Sequence, residues 1–440
     1  MTLIIHTSGE TRDEVRANVV LIGTCSRLPS SFHRSVEESV PRINVPKSFE
    51  KVGDMMKTTL TRAALLMSLG MAMSTPHAYG DEKQRDFYFQ EQQQRFVDRP
   101  FDARMLGMSG STNLTTSNAL ATVQNPGALG LMRYGDMSAS YSFNEITGNE
   151  FPSGSKVKDK QNIGQVYGAT PINPTADGLP DNGNFGFGWW GRSGNWTYDP
   201  DNTDSGAYQV SGAYGKSLSE YVSLGYGLTY QKDSLDSDIH NYDSAETFLH
   251  TIGLETRSMD DLTWGTTISI GHGQHDLDHT GHRADEQTVN QMQYGIATGL
   301  EYKMDRTAVA LGADYTFYSN DGDDEPGAND PGYPFGGDSL GRVMNLRVGL
   351  EQYLADWLAI RGGYRYAANF KWDYDRSDLR DLTGSATYNA WTAGAGVKYD
   401  MDKDSFIKAI LLDYAAEYRT VGDNDWQHIV SLSAPFDLCM

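Results

Sequence analysis

The chain has 440 residues and a formal net charge of −22, from 58 Asp and Glu against 36 Lys and Arg. This acidic balance argues against a nucleic-acid partner, which needs a basic footprint. The 2 cysteines rule out a disulfide scaffold or a structural zinc site, and no stretch reaches the ~18 consecutive apolar residues of a transmembrane helix.

The first organised feature in chain order is the stretch 55–80, "MMKTTLTRAALLMSLGMAMSTPHAYG". Lys57 and Arg62 form a positive beginning, Ala63 to Met73 an apolar core, and Ala78 and Gly80 a small-residue cleavage site followed by Asp81 and Glu82. That order is the pattern of an export signal peptide. Such a signal begins a protein, so residues 1–54 are expected to be an upstream extension without ordered structure, with translation starting at Met55 or Met56.

From about residue 134 the hydrophobic period is two. Val222, Leu224, Tyr226, Leu228 and Tyr230 share one face against Ser223, Gly225, Gly227 and Thr229. Leu262, Trp264, Thr266, Ile268 and Ile270 repeat the pattern, as do the stretches 308–317 and 391–399. One apolar and one polar face fit either a soluble sandwich or a membrane barrel. Alternating stretches of roughly 10–14 residues are long for a sandwich and suit a tilted membrane strand. Tight turns at 215–220, 258–262, 303–306, 354–357 and 400–404 alternate with long loops near 233–245, 273–288, 319–340, 372–386 and 419–426. That asymmetry belongs to outer-membrane barrels. Parity then requires an extra strand pair, supplied by 163–169 and by "FGFGWWG" at 185–191, although Trp190 would face the lumen. The expected fold is all-β, an antiparallel transmembrane barrel of about 14 strands over 134–436 with a short tail at 437–440.

The segment 81–133 does not alternate. It holds Arg104, Gly107 and Gly110, then a turn-rich knot of Asn125, Pro126, Gly127, Ala128 and Leu129 directly before the first strand. These residues resemble the N-terminal segment of the FadL-like family of outer-membrane barrels, which transport long-chain fatty acids and other hydrophobic compounds. The family opens on an Arg-x-x-Gly-like pattern and carries an Asn-Pro-Ala-x-Leu motif before its first strand; the matching residues here are Arg104, Gly107, Gly110, Asn125, Pro126, Ala128 and Leu129, with Gly127 in place of the usual alanine. The resemblance implies that 81–133 folds into the lumen as a plug. It further implies a protein that passes hydrophobic or amphipathic small molecules by passive diffusion in a bacterial outer membrane. Its partners would be membrane lipid and a hydrophobic ligand, with no cofactor and no enzyme activity. The related PorV-type barrels share the opening, so the alternative is a barrel that serves as partner of a secretion or surface-protein complex. Small inward residues such as Gly225, Gly227, Gly394 and Gly396 leave room for a plug.

Alternation turns Glu255, Glu301, Asp314, Arg347, Glu351, Arg361, Arg365, Asp413 and Glu417 to the lumen. They form either a neutralising network between plug and wall or a polar lining in which Arg347, Arg361 and Arg365 bind a carboxylate. His272, His275, His279 and His282, with Asp276 and Asp278, make one loop a candidate metal site, since imidazole and carboxylate suit zinc, copper or nickel. The loops 199–206 and 319–332 resemble calcium loops in composition alone. No nucleophile–base, phosphate-loop or HExxH pattern is present, and no catalytic residue is expected.

Overall fold

The computed structural model describes residues 2–8, 16–22, 101–148, 157–172, 182–198, 201–237, 241–258, 261–278, 287–322, 339–370, 386–402, 404–419 and 424–438. The expected signal peptide at 55–80, the first part of the expected plug at 81–100, and His279 and His282 lie outside them. The chain divides into two units. In the N-terminal one, where the sequence suggests no order, β1 (Thr2–Ser8) pairs antiparallel with β2 (Arg16–Ile22).

The second unit begins with three short helices, α1 (Ala103–Gly107), α2 (Ala121–Gln124) and α3 (Pro126–Leu129). Fourteen strands follow: β3 (Gly135–Gly148), β4 (Val157–Pro171), β5 (Asn184–Tyr198), β6 (Asp201–Ser219), β7 (Val222–Ser237), β8 (Asn241–Ser258), β9 (Leu262–Asp278), β10 (Gln287–Met304), β11 (Thr307–Gly322), β12 (Ser339–Ala355), β13 (Leu358–Phe370), β14 (Ala386–Asp400), β15 (Ala409–Arg419) and β16 (Asn424–Phe436). Each pairs antiparallel with its neighbours in sequence, and β16 returns to β3 with Phe436 opposite Gly135, closing the barrel. Closure leaves no free sheet edge, which a membrane requires because lipid satisfies no backbone group.

The two faces separate as the alternation dictates. Leu224, Tyr226, Ile252 and Ile268 are 46%, 48%, 55% and 55% exposed, whereas Ser223, Thr251 and Thr267 between them are at most 4% exposed. A solvent-facing wall of this composition would be an aggregation surface; facing lipid, it is the stable arrangement. Four strands, β3, β13, β15 and β16, have the expected 10–14 residues; the other ten run to as many as 19, because the hydrogen-bonded ladder continues beyond the apolar belt on the long-loop side. Strands β4 and β5 are the extra pair, and Trp190 does face inward, 2% exposed, with Gly188 and Gly186 in the same inward phase. The tight turns lie at one end: β10 and β11 join through Asp305 and Arg306 alone, with Asp305 at φ 44, a left-handed position that Asp tolerates.

Introducing a charge at the middle of the lipid face should destabilise the barrel. Ile268→Arg is expected to lower unfolding free energy in lipid vesicles by ~2–4 kcal/mol, measured by denaturant titration of the heat-modifiable folded form.

Candidate functional site: a plug belted to the lumen wall

Residues 101–132 lie almost wholly buried inside the barrel. Helix α1 is started by Asp102, whose Oδ1 accepts from the Met105 backbone N–H at 2.6 Å and whose Oδ2 accepts from Asn118 Nδ2 at 3.1 Å. The Ala103 N–H donates to Ser431 Oγ on the wall at 2.7 Å. After α1 the chain turns through Ser109 and Gly110, at φ 55 and 73. Gly110 meets the conformational demand at no steric cost. Ser109 is held by its hydroxyl, 2.9 Å from Thr392 Oγ1.

The knot has a definite construction. Asn125 sits in extended backbone and caps α3, its Oδ1 accepting from the Gly127 N–H at 3.1 Å, and Pro126 takes the first helical position, where a missing N–H costs nothing. The other end of the same amide donates to the Leu114 carbonyl at 2.7 Å and to the Leu254 carbonyl of the wall at 3.3 Å. One side chain therefore ties the knot, the preceding plug loop and β8 together. Ser223 Oγ donates to the Gly127 carbonyl at 2.6 Å, and Asn184 Nδ2 donates to the carbonyls of Leu129 and Met132 at 2.6 and 3.1 Å. These wall groups give the Gly127 and Leu129 carbonyls a second donor beside the Gly130 and Met132 N–H groups of the plug itself. A Cβ on Gly127 would stand 2.7 Å from the Gly253 carbonyl oxygen, which is why alanine, the residue the FadL-like pattern carries there, has no room at this position.

Gly253 belongs to a larger feature. Nine consecutive strands, β6 to β14, present inward glycines to the plug, β7 a second one at Gly227. Gly215 lies opposite Gly225 and Gly225 opposite Gly253. Gly265 lies opposite Gly299 and Gly299 opposite Gly312. Gly349 lies opposite Gly363, and Gly394 completes the series on β14. Between these runs the series steps by two residues, at Glu255/Gly265, Ala310/Gly349 and Arg361/Gly394. All three steps go toward the tight-turn end, as a row that stays near one height must do in a wall of tilted strands.

The plug backbone follows this row. A Cβ on Gly394 would meet Gly107 Cα at 3.2 Å, and one on Gly363 would meet the Met108 carbonyl carbon at 2.7 Å. One on Gly349 would meet Met108 Cβ at 2.7 Å, and one on Gly312 would meet Ser111 Cα at 3.3 Å. Gly299 and Gly265 face Leu114, Gly253 faces Asn125 and Gly127, and Gly225 and Gly215 face Pro126. Glycine in a strand weakens it by roughly 0.5–1 kcal/mol relative to alanine and is found where another backbone approaches closely. Here that second backbone is the plug, wound along the wall from β14 to β6.

Charges lock the same seam. Arg104 Nε and Nη2 donate to Glu351 Oε2 and Oε1 at 3.1 and 3.0 Å, and Nη2 also reaches Glu301 Oε1 at 3.0 Å. Thr115 Oγ1 donates to Glu301 Oε2 at 3.0 Å. Arg361 Nε donates to Glu351 Oε2 at 2.6 Å and its Nη1 to Asp413 Oδ1 at 2.5 Å. Lys303 Nζ stands 3.8 Å from Glu301. Three cations, Arg104, Arg361 and Lys303, thus face three carboxylates, Glu301, Glu351 and Asp413, so the cluster is neutral. Apolar contact completes the seat: Met105, Leu120 and Leu129 pack with Tyr167, Ala169 and Ala213, and Ala103 and Leu106 with Ala415 and Ile429.

Of the residues that the sequence brings forward, Arg104, Gly107, Gly110, Asn125, Pro126, Ala128 and Leu129 all lie in this buried segment. The three arginines considered as carboxylate binders each have a carboxylate of the protein: Arg361 has Glu351 and Asp413, Arg365 donates to Glu417 Oε1 at 2.7 Å, and Arg347 donates to Asp314. Glu255 pairs with Arg257 at 3.1 Å, and both reach Ser117 of the plug. His272 does not face the lumen; it is exposed on the outer face, stacked on Phe248 and His250 with ring centroids 5.5 and 5.9 Å away. His275 lies on β9, and among the described residues no group of three metal-ligating side chains occurs. The glycine row escaped sequence reasoning except at Gly225 and Gly394. Its signal was there: glycine recurring at the inward phase of strand after strand.

Two substitutions separate the parts of the seam. Arg104→Ala leaves Glu301 with only Thr115 and the more distant Lys303 and leaves Glu351 with Arg361 alone, and is expected to cost ~3–5 kcal/mol in equilibrium unfolding. Gly253→Val should push the plug off the wall and raise conductance in planar bilayers. Gly212→Val, at a position with nothing within 4 Å of a Cβ, should leave conductance unchanged.

No family model matches the sequence, and no curated protein matches it either. Among solved structures the chain is similar to a FadL homologue of Pseudomonas aeruginosa, at 14% identity over 76% of this chain and 98% of that one, with a TM-score of 0.52. It is likewise similar to the toluene transporter TbuX of Ralstonia pickettii, at 12% identity over 77% of this chain and 99% of that one, with a TM-score of 0.50. Nearly the whole length of both proteins is covered, so the likeness includes their complete barrels. By fold the chain is therefore a closed barrel of fourteen antiparallel strands similar to that of the FadL homologue, with residues 101–132 buried inside it.

Proposed function

We propose that the protein is an outer-membrane channel through which small hydrophobic or amphipathic molecules pass by diffusion, with the plug as its gate. The observation that carries this reading is that a segment outside the ladder, 101–132, fills the lumen and is held there by side-chain hydrogen bonds, one neutral ion cluster and glycine contacts. Such contacts can be exchanged without breaking the barrel, whose closure is made entirely by β3 to β16. The names of the similar proteins, a FadL homologue and a toluene transporter, agree with transport of small organic molecules. In this reading 55–80 directs export, 81–133 forms the plug, Arg104 to Leu129 hold it, and no catalysis is involved.

Deleting 81–124 is expected to increase single-channel conductance in planar bilayers while the protein still shows heat-modifiable mobility. Unchanged conductance in an assembled barrel, together with copurification of a secreted or surface protein, would replace the channel with a PorV-like partner role.

A further inference from the structure

On the outside of the barrel two patches interrupt the apolar wall in the same way. On β8, His250 Nδ1 lies 2.7 Å from the Tyr226 hydroxyl of β7, and its ring stacks on His272 of β9. On β16, His428 Nδ1 lies 2.8 Å from the Tyr414 hydroxyl of β15, and its ring stacks on Phe143 of β3 with centroids 4.9 Å apart. In both, the tyrosine sits on the neighbouring strand, one diagonal step toward the tight turns. In that direction the wall becomes apolar, at Leu228, Ile252 and Ile270 in one patch and Val430 and Leu432 in the other. Toward the long loops each patch reaches a lysine. Lys232 follows Tyr230 by two residues on β7 and stands 3.1 Å from Glu246, both partly exposed. Lys160 is exposed on β4, two residues beyond Asn162, which lies opposite Phe143.

We infer that these patches are two seats for a phosphorylated lipid of the outer leaflet, with its phosphate against the imidazole and the lysine and its acyl chains on the apolar rows beneath. The height fits. His250 stands eight residues from the tight-turn end of β8 and His428 eight from that of β16. On tilted strands both therefore lie about 20 Å up, near the upper edge of an apolar band about 25 Å tall. The hydrogen bonding fits as well. A phenol that donates to Nδ1 leaves the ring proton on Nε2, an N–H with no protein partner among the described residues. A donor facing lipid stays unpaired unless a headgroup accepts from it, and a phosphate oxygen is the strongest acceptor at that height, with a charge that suits the lysine. The placement around the barrel selects lipid over a protein. β8 and β16 are eight strands apart one way and six the other, so the patches face opposite sides. A protein docked on one flank would cover one of them, whereas lipid meets both. Aromatic rings alone would need only the membrane interface; imidazole and lysine set among them add recognition of an anion.

The test is native mass spectrometry of the full chain, purified in a phosphate-free detergent and offered one of three lipids: diphosphoryl lipid A, the same lipid A after phosphatase treatment, or phosphatidylcholine. Two molecules of diphosphoryl lipid A are expected to stay bound to each barrel, and the other two lipids to be retained about tenfold less. His250→Leu with His272→Leu should leave one bound lipid A, and adding His428→Leu should leave none. Leucine suits a lipid-facing wall, and heat-modifiable mobility checks that each variant is assembled. Equal retention of the phosphatase-treated lipid or of phosphatidylcholine would overturn the inference without any substitution. So would lipid A retention unchanged in the assembled triple variant, or no lipid A retained by the native chain. Each of these results leaves the channel reading standing, because that reading concerns the lumen and these patches lie outside it.

Discussion

Everything in the lumen depends on how closely two backbones can approach. The plug cannot pair with the wall as a strand, because wall strands have already spent their hydrogen bonds on one another. It can lie against the wall only where side chains are absent. Nine strands supply that absence at one level, and the plug's path from Gly107 to Gly127 traces the same level in reverse strand order. The sequence cost of this arrangement is nine glycines in strand interiors. What offsets it is a buried segment whose backbone is bonded within itself and to wall side chains such as Ser223, Asn184 and Ser431.

Polar groups then fix which part of the plug meets which strand. Asn125 bonds forward to α3, back to Leu114 and outward to β8. Arg104 bridges β10 and β12 through Glu301 and Glu351. At the far end Asp136, the second residue of β3, accepts from the Ala119 N–H at 2.8 Å, so the plug is held by the strand that it feeds. Gly127 belongs to both systems. It is short enough to clear Gly253, and its carbonyl is taken by Ser223. A small residue at that place and the polar wall around it are one requirement seen from two sides.

The barrel was legible because the membrane imposes a strict period. Lipid on one side and a polar lumen on the other force alternation at Leu224, Ile252 and Ile268 whatever the strand's neighbours, and the tight turns between them are short enough to read directly. Even Trp190, which breaks the apolar-out rule, sits where its phase puts it. The lumen was less legible. The inward arginines could be placed on the correct face, but whether Arg347 meets a ligand or Asp314 depends on the register between β11 and β12, which no single strand encodes. The histidines show the same limit. His272 lies three residues before His275 in sequence, yet its place in β9 puts it on the outer face among aromatic rings. The glycine row is a property of nine strands at once, and it becomes visible only when their registers are aligned.

The winding of the plug along the wall is tested most directly by one disulfide. Ser109 and Thr392 bring their hydroxyl oxygens within 2.9 Å across the seam between the turn after α1 and β14. In the double variant Ser109→Cys with Thr392→Cys, the account predicts spontaneous crosslinking in the assembled barrel, seen as a mobility shift that reductant reverses. A barrel that assembles with both thiols free, and with the cysteine at 109 labelled by a membrane-impermeant reagent from the periplasmic side, would contradict it.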